Sequence, residues 1–382
     1  MSTPSQPAAD GRFPHLDGLR GIAILLVMVF HMVIMPAATP PDVWVRSAAA
    51  YGWVGVDLFF ALSGFLITSI LLRGRRRGGR GRFLWRFWAR RALRIFPLYY
   101  GVLVLALVVL PQFDHPKAAA FQRIQGDELW YWLYLSNFSI AAAGAFRHGI
   151  LDISWSLAIE EQFYLLWPAV VLLAPVRWLK WICLAGVGLS LAARAYMVQA
   201  GWHPIAVYVH TLAHLDPLLL GALGAVLLQE GAARAARRLA WIFTGAGVLW
   251  LAALAAGGPG AAGTHPAYVP GLTALGAGFA LLVVRAAGGA VPAWMSRLLD
   301  RPWLVRMGLY SYAMYLFHLP LRALLRDTLY PPQAFATLWG SPLPGQLLFL
   351  AAGISLSYYA AKLSWHLYES RFLALKRWLP YR

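Results

Sequence analysis

The stretch Leu71–Phe96, LLRGRRRGGRGRFLWRFWARRALRIF, decides the fold class of this chain. Ten arginines fall between Arg73 and Arg94, and no acidic residue occurs between Asp57 and Asp114. Apolar runs long enough to cross a bilayer lie on both sides of the stretch. Short arginine-rich loops stay in the cytoplasm, so the stretch fixes an orientation and supplies a dense cationic inner face. We therefore expect a membrane protein that handles a polyanionic cytoplasmic ligand.

The composition points the same way. Of the 382 residues, 60% are hydrophobic and 13% are charged, whereas a soluble domain has about 25% charged residues. Eighteen Trp and 17 Tyr suit helix ends at two membrane interfaces. The net charge of +18 fits anionic inner-leaflet lipid or an anionic cofactor. Nucleic acid is not an expected partner, because the basic residues cap apolar spans and form no separate module.

Ten apolar stretches of about 17 to 25 residues are predicted to span the membrane. They are 14–35, 51–72, 94–111, 157–175, 180–199, 211–229, 239–257, 268–286, 307–327 and 344–366. The segment 129–143, LWYWLYLSNFSIAAA, is short and aromatic, which is typical of an interfacial or re-entrant piece. We predict that it does not span.

Loop charge supports that choice and sets the orientation. With ten spans, every later basic loop faces the cytoplasm, as the positive-inside rule requires. Those loops are 73–93, 176–180, 230–238 and 287–306, whereas the outer loops 200–210, 258–267 and 328–343 contain no Lys or Arg. We expect an all-α, polytopic helical bundle with about ten transmembrane helices and cytoplasmic N- and C-termini. It would form one domain over 1–382, with a disordered tail at 1–12 and a short cytoplasmic tail at 373–382.

Ionisable residues inside spans are functional candidates, because burying them in a membrane is costly. Arg20 and His31 lie eleven residues apart in the first span, so they share a helical face about 16 Å apart in depth. His31 suits a general base near neutral pH. Alternatively, Arg20 snorkels to the interface and His31 bonds a neighbouring helix. Asp57, near the outer end of the second span, is as well explained by pairing with a cation as by catalysis.

Three arginines occupy the inner mouth of the third predicted span. Arg90, Arg91 and Arg94 lie on neighbouring helical faces. Guanidinium groups bind phosphate through paired hydrogen bonds, so these residues are candidates for an anionic ligand. The alternative is a topology signal that binds lipid phosphate, which we favour for 75–82.

Two further sets of polar residues share helical faces within spans. Glu160, Tyr164 and their neighbours Phe163 and Trp167 fall on one side of the fourth span. A carboxylate there is positioned to orient and charge-stabilise a histidine. In the ninth span Ser311, Tyr315 and His318 share a face in the same way. The sequence has no His-Glu-x-x-His motif, Cys cluster or phosphate-cradling Gly loop, so no metal and no Walker-type nucleotide site is predicted.

Six segments together resemble the acyltransferase 3 family of integral membrane O-acyltransferases, from about residue 13 to 372. They are FPHLDGLRGIAILLVMVFH, GVDLFFALSGFLIT, RRALRIFPLYY, WSLAIEEQFYLLWP, SYAMYLFHLP and HLYESRF. The resemblance implies transfer of an acyl group, usually acetyl, from cytoplasmic acyl-CoA to a hydroxyl of a sugar, cell-surface polysaccharide or macrolide. We expect the chain to lack the extracytoplasmic hydrolase-like domain that some members append.

The resemblance also implies roles for particular residues. The family's arginine–histidine motif falls on Arg20 and His31, and its arginine-rich donor motif falls on the three arginines of the third span. Its tryptophan-to-glutamate motif falls on Trp155, Ser156 and Glu160. We therefore expect His31, Arg20, Glu160 and Asp57 to be catalytic, Arg90, Arg91 and Arg94 to bind acyl-CoA, and Trp155, Ser156, Tyr164, Tyr315 and His318 to bind substrate.

In the resulting hypothesis, His31 removes the proton of the acceptor hydroxyl or first accepts the acyl group itself. Arg20 stabilises the developing oxyanion or anchors the donor, and Glu160 or Asp57 holds the imidazole in a useful tautomer. The expected location is the inner (plasma) membrane. Two alternatives use the same charges without this chemistry: a transporter or flippase of a glycan or lipid-linked sugar, and a scaffold in which the charges only pair helices.

Overall fold

The structure is a computed structural model that describes residues 14–75, 79–112, 124, 126–229 and 268–380, with a few residues between 237 and 248. Within these ranges the chain is α-helical and has no strand, and Leu338 and Ser341 form only an isolated bridge. The predicted all-α fold class is confirmed for this part of the chain. The predicted tail 1–12 and most of the predicted span 239–257 lie outside the described residues.

The described helices are numbered here in chain order. They are α1 Pro14–Met32, α2 Pro40–Ala49, α3 Val54–Arg75, α4 Arg80–Val104, α5 Glu128–Trp132, α6 Ser136–Ala143, α7 Ser154–Leu173, α8 Val176–Gln199, α9 Pro204–Val209, α10 Asp216–Gln229, α11 Tyr268–Ala287, α12 Ala293–Leu299, α13 Pro302–Leu324, α14 Leu343–Ser364 and α15 Ser370–Ala374. A π-helical turn follows each of α4, α13 and α14, at Leu105–Val109, Leu325–Leu329 and Trp365–Glu369.

Helices of membrane-spanning length are the dominant feature. In the described ranges, seven helical stretches are long and apolar enough to cross a bilayer: His15–Met32, Pro40–Arg75, Arg80–Gln112, Gly149–Leu173, Val176–Gln199, Val269–Ala287 and Leu343–Trp378. Helix α10 is apolar but has only 14 residues. Helix α13 has 23 residues but is not among the seven stretches that are apolar enough to cross a bilayer. This is the helix content of a multi-pass membrane protein, while the count of ten spans and the cytoplasmic termini stay predictions.

The arginine-rich stretch is more helical than the sequence reading expected. We predicted a loop over 73–93, but α3 continues to Arg75 and α4 begins at Arg80. Gly79 precedes α4 with φ +63°, a conformation that glycine adopts without steric cost. Phe83 and Phe87 are buried one turn apart, so the arginines lie on an amphipathic helix whose apolar side is packed.

The short aromatic segment 129–143 does not form one helix. Tyr134, with φ 54°, separates α5 from α6, and a positive φ at a non-glycine residue interrupts a helix. The two pieces contain 5 and 8 residues, which is too short to cross a bilayer.

The chain divides into two compact units, and α3 passes from one to the other. The described part of the first unit comprises 14–59 and 285–368. In it α1 and α13 touch through glycines: a methyl group at Gly21 would overlap the carbonyl oxygen of Leu304, and one at Gly308 would overlap that of Asp17. Such close approach is typical of small residues between membrane helices.

The second unit comprises 60–284 and 369–380 as far as these are described. Helices α3 and α10 approach each other through Gly64 and Gly221, which face the carbonyl oxygens of Leu218 and Ala61. Arg194 and Asp216 form an ion pair at 2.6 Å with neither side chain exposed. The buried acid Asp216 is thus held by a cation from α8.

Candidate functional site

Two histidines meet in the first unit. His318 Nε2 lies 3.2 Å from His31 Nδ1, and the two ring centroids are 4.9 Å apart. Each histidine lies ten residues after a glycine of the α1–α13 contact, His31 after Gly21 and His318 after Gly308. Ten residues of helix rise about 15 Å, so the glycine contact brings both imidazoles to the same depth.

Backbone carbonyls decide which ring nitrogens hold protons. His31 Nδ1 is 2.9 Å from the Val27 oxygen, and His318 Nδ1 is 2.6 Å from the Tyr315 oxygen. A carbonyl oxygen only accepts hydrogen bonds, so both Nδ1 atoms must donate. In neutral rings both Nε2 atoms then have a lone pair, and His318 Nε2 accepts from His31 Nδ1. His31 Nε2 is left as the basic nitrogen of the pair.

This arrangement corrects one detail of the sequence-based mechanism. We expected Glu160 or Asp57 to hold the His31 tautomer, but the Val27 carbonyl one turn earlier on α1 does so. Asp57 is fully buried in α3. Tyr315 is buried beside His318, with ring centroids 5.6 Å apart.

Arg20 is not close to the histidines. Its guanidinium donates to Asp17 at 2.9 Å, and the Arg20 side chain is 35% exposed. Both Arg20 and His31 belong to the continuous helix α1, so eleven residues separate them by about 16 Å along the axis. The two cannot act on the same small group of atoms.

Glu160 and Tyr164 lie together in the second unit. Glu160 accepts hydrogen bonds from Ser63 Oγ at 2.9 Å and from Tyr164 Oη at 3.0 Å. The Arg91 guanidinium lies 5.2 Å from the centroid of the Tyr164 ring, within cation–π distance. The predicted acid, tyrosine and donor arginine are thus parts of one cluster. Sequence reasoning did not single out Ser63, which sits in the apolar part of α3.

Arg90 and Arg94 lie near the end of the chain. Arg90 donates to the carbonyl oxygens of Lys376 and Leu379 at 3.0 and 3.1 Å. Burial lowers the pKa of the Lys376 ammonium most, and its electrostatic interactions with Arg94, Arg91 and Arg90 lower it further. Four cations therefore share one neighbourhood, which favours an anion there. Arg90 also has a structural role, because it binds the backbone at Lys376 and Leu379.

Trp155 and Ser156 lie in the first turn of α7, about one helical turn before Glu160. The Trp155 ring packs with those of Tyr208, His214 and Phe60, at centroid distances of 4.9, 5.8 and 6.2 Å. Ser156 Oγ donates to the Ile153 oxygen at 3.3 Å. Of this aromatic cluster, the sequence analysis predicted only Trp155 as a site residue, because Tyr208 and His214 come from a separate short segment. Among the described residues, no group of three or more His, Cys, Asp or Glu is placed to hold a metal ion.

Comparisons with known proteins show which family and relatives the chain matches. A family model for acyltransferase 3, described as an acyltransferase domain, matches residues 13–362. The chain is 33% identical over 220 residues to a peptidoglycan O-acetyltransferase of Listeria monocytogenes, which is 54% of this chain and 33% of that protein. A putative peptidoglycan O-acetyltransferase of Bacillus subtilis is also 33% identical over 220 residues, 54% of this chain and 32% of that protein. A putative O-acetyltransferase of Staphylococcus aureus is 33% identical over 224 residues, 56% of this chain and 34% of that protein. The chain spans about a third of the length of these relatives, and no solved structure matches it.

Proposed function

Because the chain belongs to the acyltransferase 3 family, we propose that it is a membrane O-acyltransferase that moves an acetyl group from acetyl-CoA to a hydroxyl of a cell-envelope glycan. The names of the relatives support the acetyl group and a glycan acceptor, since two of them are peptidoglycan O-acetyltransferases by name. The observation that supports a transferase most directly is the histidine pair. The Val27 carbonyl holds the proton of neutral His31 on Nδ1. His31 Nε2 therefore has a lone pair, as a general base needs.

The proposed transfer uses that nitrogen directly. His31 Nε2 takes the proton of the acceptor hydroxyl while the oxygen attacks the thioester carbonyl and a C–O bond forms. The C–S bond then breaks, and the CoA sulfur leaves with the proton from His31. His318 accepts the Nδ1 hydrogen bond and spreads the positive charge that His31 gains. A positioned base typically contributes about 10²- to 10⁴-fold in rate.

The donor would be held by cations of the second unit. Arg91 and Arg94, together with Lys376, surround a region suited to the phosphates of acyl-CoA, which arginine binds bidentately. Arg90 would fix the tail that contributes Lys376. Arg20, paired with Asp17 three turns from His31, fits a donor-anchoring role at the opposite end of α1 better than a role at the reacting carbonyl. Trp155 and Tyr164 would contact the acceptor or the acyl chain.

We place the protein in the inner membrane with both termini and the Arg80 end of α4 in the cytoplasm, because three predicted outer loops contain no Lys or Arg. Cysteine substitutions test this orientation. Gly81 has open space around its Cα, and Trp339 is 93% exposed. In intact cells, Trp339→Cys should react with a membrane-impermeant thiol reagent and Gly81→Cys should react only after permeabilisation. The reverse pattern would contradict the orientation. The native Cys183 is buried and should stay silent.

The activity is tested in a strain that lacks the gene and receives it back on a plasmid. Ester-linked acetate is released by mild alkali from purified sacculi and, separately, from surface polysaccharide. We expect the wild-type gene to restore acetate in one fraction and His31→Asn to restore none. Equal acetate with and without the gene would rule out envelope O-acetylation, and restoration by His31→Asn would favour a transport or scaffold role.

A further inference from the structure

Arg322 extends the polar face of α13 that contains His318. Ser311, Tyr315, His318 and Arg322 follow at spacings of four, three and four residues, which is the spacing of one helical face. Arg322 lies one turn beyond His318, and His318 contacts His31. The face therefore brings a guanidinium next to the histidine pair in the first unit.

The Arg322 guanidinium differs from the neighbouring arginines in its hydrogen bonding. Its Nε is buried and has no hydrogen-bond partner among the described residues. Arg326, one turn later, donates to both carboxylate oxygens of Asp327, and Arg20 donates to Asp17. A buried donor without a partner is rare in native structures and calls for an explanation, and a catalytic role is one of them.

The charge of Arg322 reaches the reacting region. Its positive charge acts on both imidazoles. The charge of Asp327 acts on Arg322 in turn, while the carboxylate oxygens of Asp327 accept hydrogen bonds from Arg326. A cation held beside a base in an apolar interior stabilises negative charge more strongly than it would in water.

We propose that Arg322 stabilises the negative charge that forms on the acyl carbonyl oxygen while His31 deprotonates the acceptor hydroxyl. This inference rests on the proposed transferase function and gives the oxyanion role to Arg322 instead of Arg20. When the acceptor oxygen bonds to the carbonyl carbon, the C=O electron pair moves to oxygen, and that oxygen accepts from the Arg322 guanidinium. When the C–S bond breaks, the pair returns to the C=O bond and the hydrogen bond weakens. Arg322 would thus bind the transition state more strongly than the substrate.

The test uses the purified full-length protein in detergent or nanodiscs, with the variants Arg322→Met, Arg322→Lys and Arg322→Ala. Arg326→Met is the matched control, because Arg326 lies on the same segment and is satisfied by Asp327. Release of CoA from acetyl-CoA is followed with a thiol reagent in the presence of sacculus fragments and, separately, of surface polysaccharide from the deletion strain. We expect kcat of Arg322→Met to fall about 10²- to 10³-fold, with the KM for acetyl-CoA and the thermal stability little changed. Arg322→Lys should keep part of the rate, and added guanidinium ion should raise the rate of Arg322→Ala but not that of wild type.

The outcomes separate this inference from the proposed function. If wild type is active and Arg322→Met keeps its kcat within about threefold, the oxyanion role is wrong while the transferase function stands. A loss confined to the KM of donor or acceptor would also overturn it, because it would assign Arg322 to ground-state binding. If Arg322→Met unfolds, the guanidinium rescue of Arg322→Ala decides, and absence of rescue counts against the role. A wild-type protein that releases no CoA would overturn the transferase function together with this inference.

Discussion

Arg194 in the second unit is fully buried and Arg322 in the first is half-buried, and the hydrogen bonds of the two arginines differ. Arg194 is fully buried, and its Nε, Nη1 and Nη2 donate to Ala213, Val269, Thr273 and Asp216. Arg322 Nε is buried without a partner. A buried charge whose donors are all satisfied acts on stability. An arginine with an open buried donor, such as Arg322 Nε, can instead serve a reacting group.

The largest effect that this comparison predicts is on stability. Arg194→Met would leave Asp216 buried without its cation, which costs about 3–5 kcal/mol in the free energy of unfolding. Arg322→Met leaves no buried partner unsatisfied, so we expect its unfolding temperature to equal or exceed that of wild type. Thermal unfolding of the purified proteins in detergent, followed by tryptophan fluorescence, measures both. The double variant Arg194→Met/Asp216→Leu should recover much of the loss, because it removes both charges together. Equal destabilisation by Arg194→Met and Arg322→Met would break the comparison.

The next effect is on turnover. In His31→Asn the amide nitrogen replaces Nδ1 and keeps the hydrogen bond to the Val27 carbonyl, but no basic nitrogen remains. We expect stability and acetyl-CoA binding to be retained and kcat to fall at least about 100-fold, or about 2.7 kcal/mol in activation free energy. His366→Gln is the matched control, since His366 is an exposed histidine of the same unit. Near-normal transfer by His31→Asn would move the base elsewhere, with His318 as the next candidate.

Helix faces were predictable from the sequence, whereas contacts between helices were not. The spacing of Ser311, Tyr315 and His318 placed them on one side of α13, and extending it by one turn would have found Arg322. The His31–His318 contact needed the glycine crossing of α1 and α13, which joins segments almost 290 residues apart.

Two further differences between the sequence predictions and the structure also have local causes. The high charge of 73–93 predicts a loop, whereas the four-residue spacing of the apolar Phe83 and Phe87 indicates the helix that the structure has. Ser63 was overlooked as a small residue in an apolar run, because only the fold brings Glu160 opposite it. The positions of charged residues along the chain are visible in the sequence, whereas their hydrogen-bond partners required the tertiary structure.

The smallest predicted effect concerns the proposed donor cations of the second unit, which are half-buried. Arg91 contacts the Tyr164 ring and is half-buried on α4. Loss of one charge-assisted phosphate contact in Arg91→Ala should weaken acetyl-CoA binding by about 1.5–3 kcal/mol, or roughly ten- to a hundredfold. Arg82→Ala is the matched control, because Arg82 is exposed on the same helix and is assigned to topology. Calorimetric titration of acetyl-CoA measures both affinities. An unchanged affinity in Arg91→Ala would reduce the cluster to a topology signal, and an equal loss in Arg82→Ala would point to general attraction by the basic face of α4. A selective loss at Arg91 would show that this unit recognises the donor through particular guanidinium groups, as the first unit would recognise the transition state through Arg322.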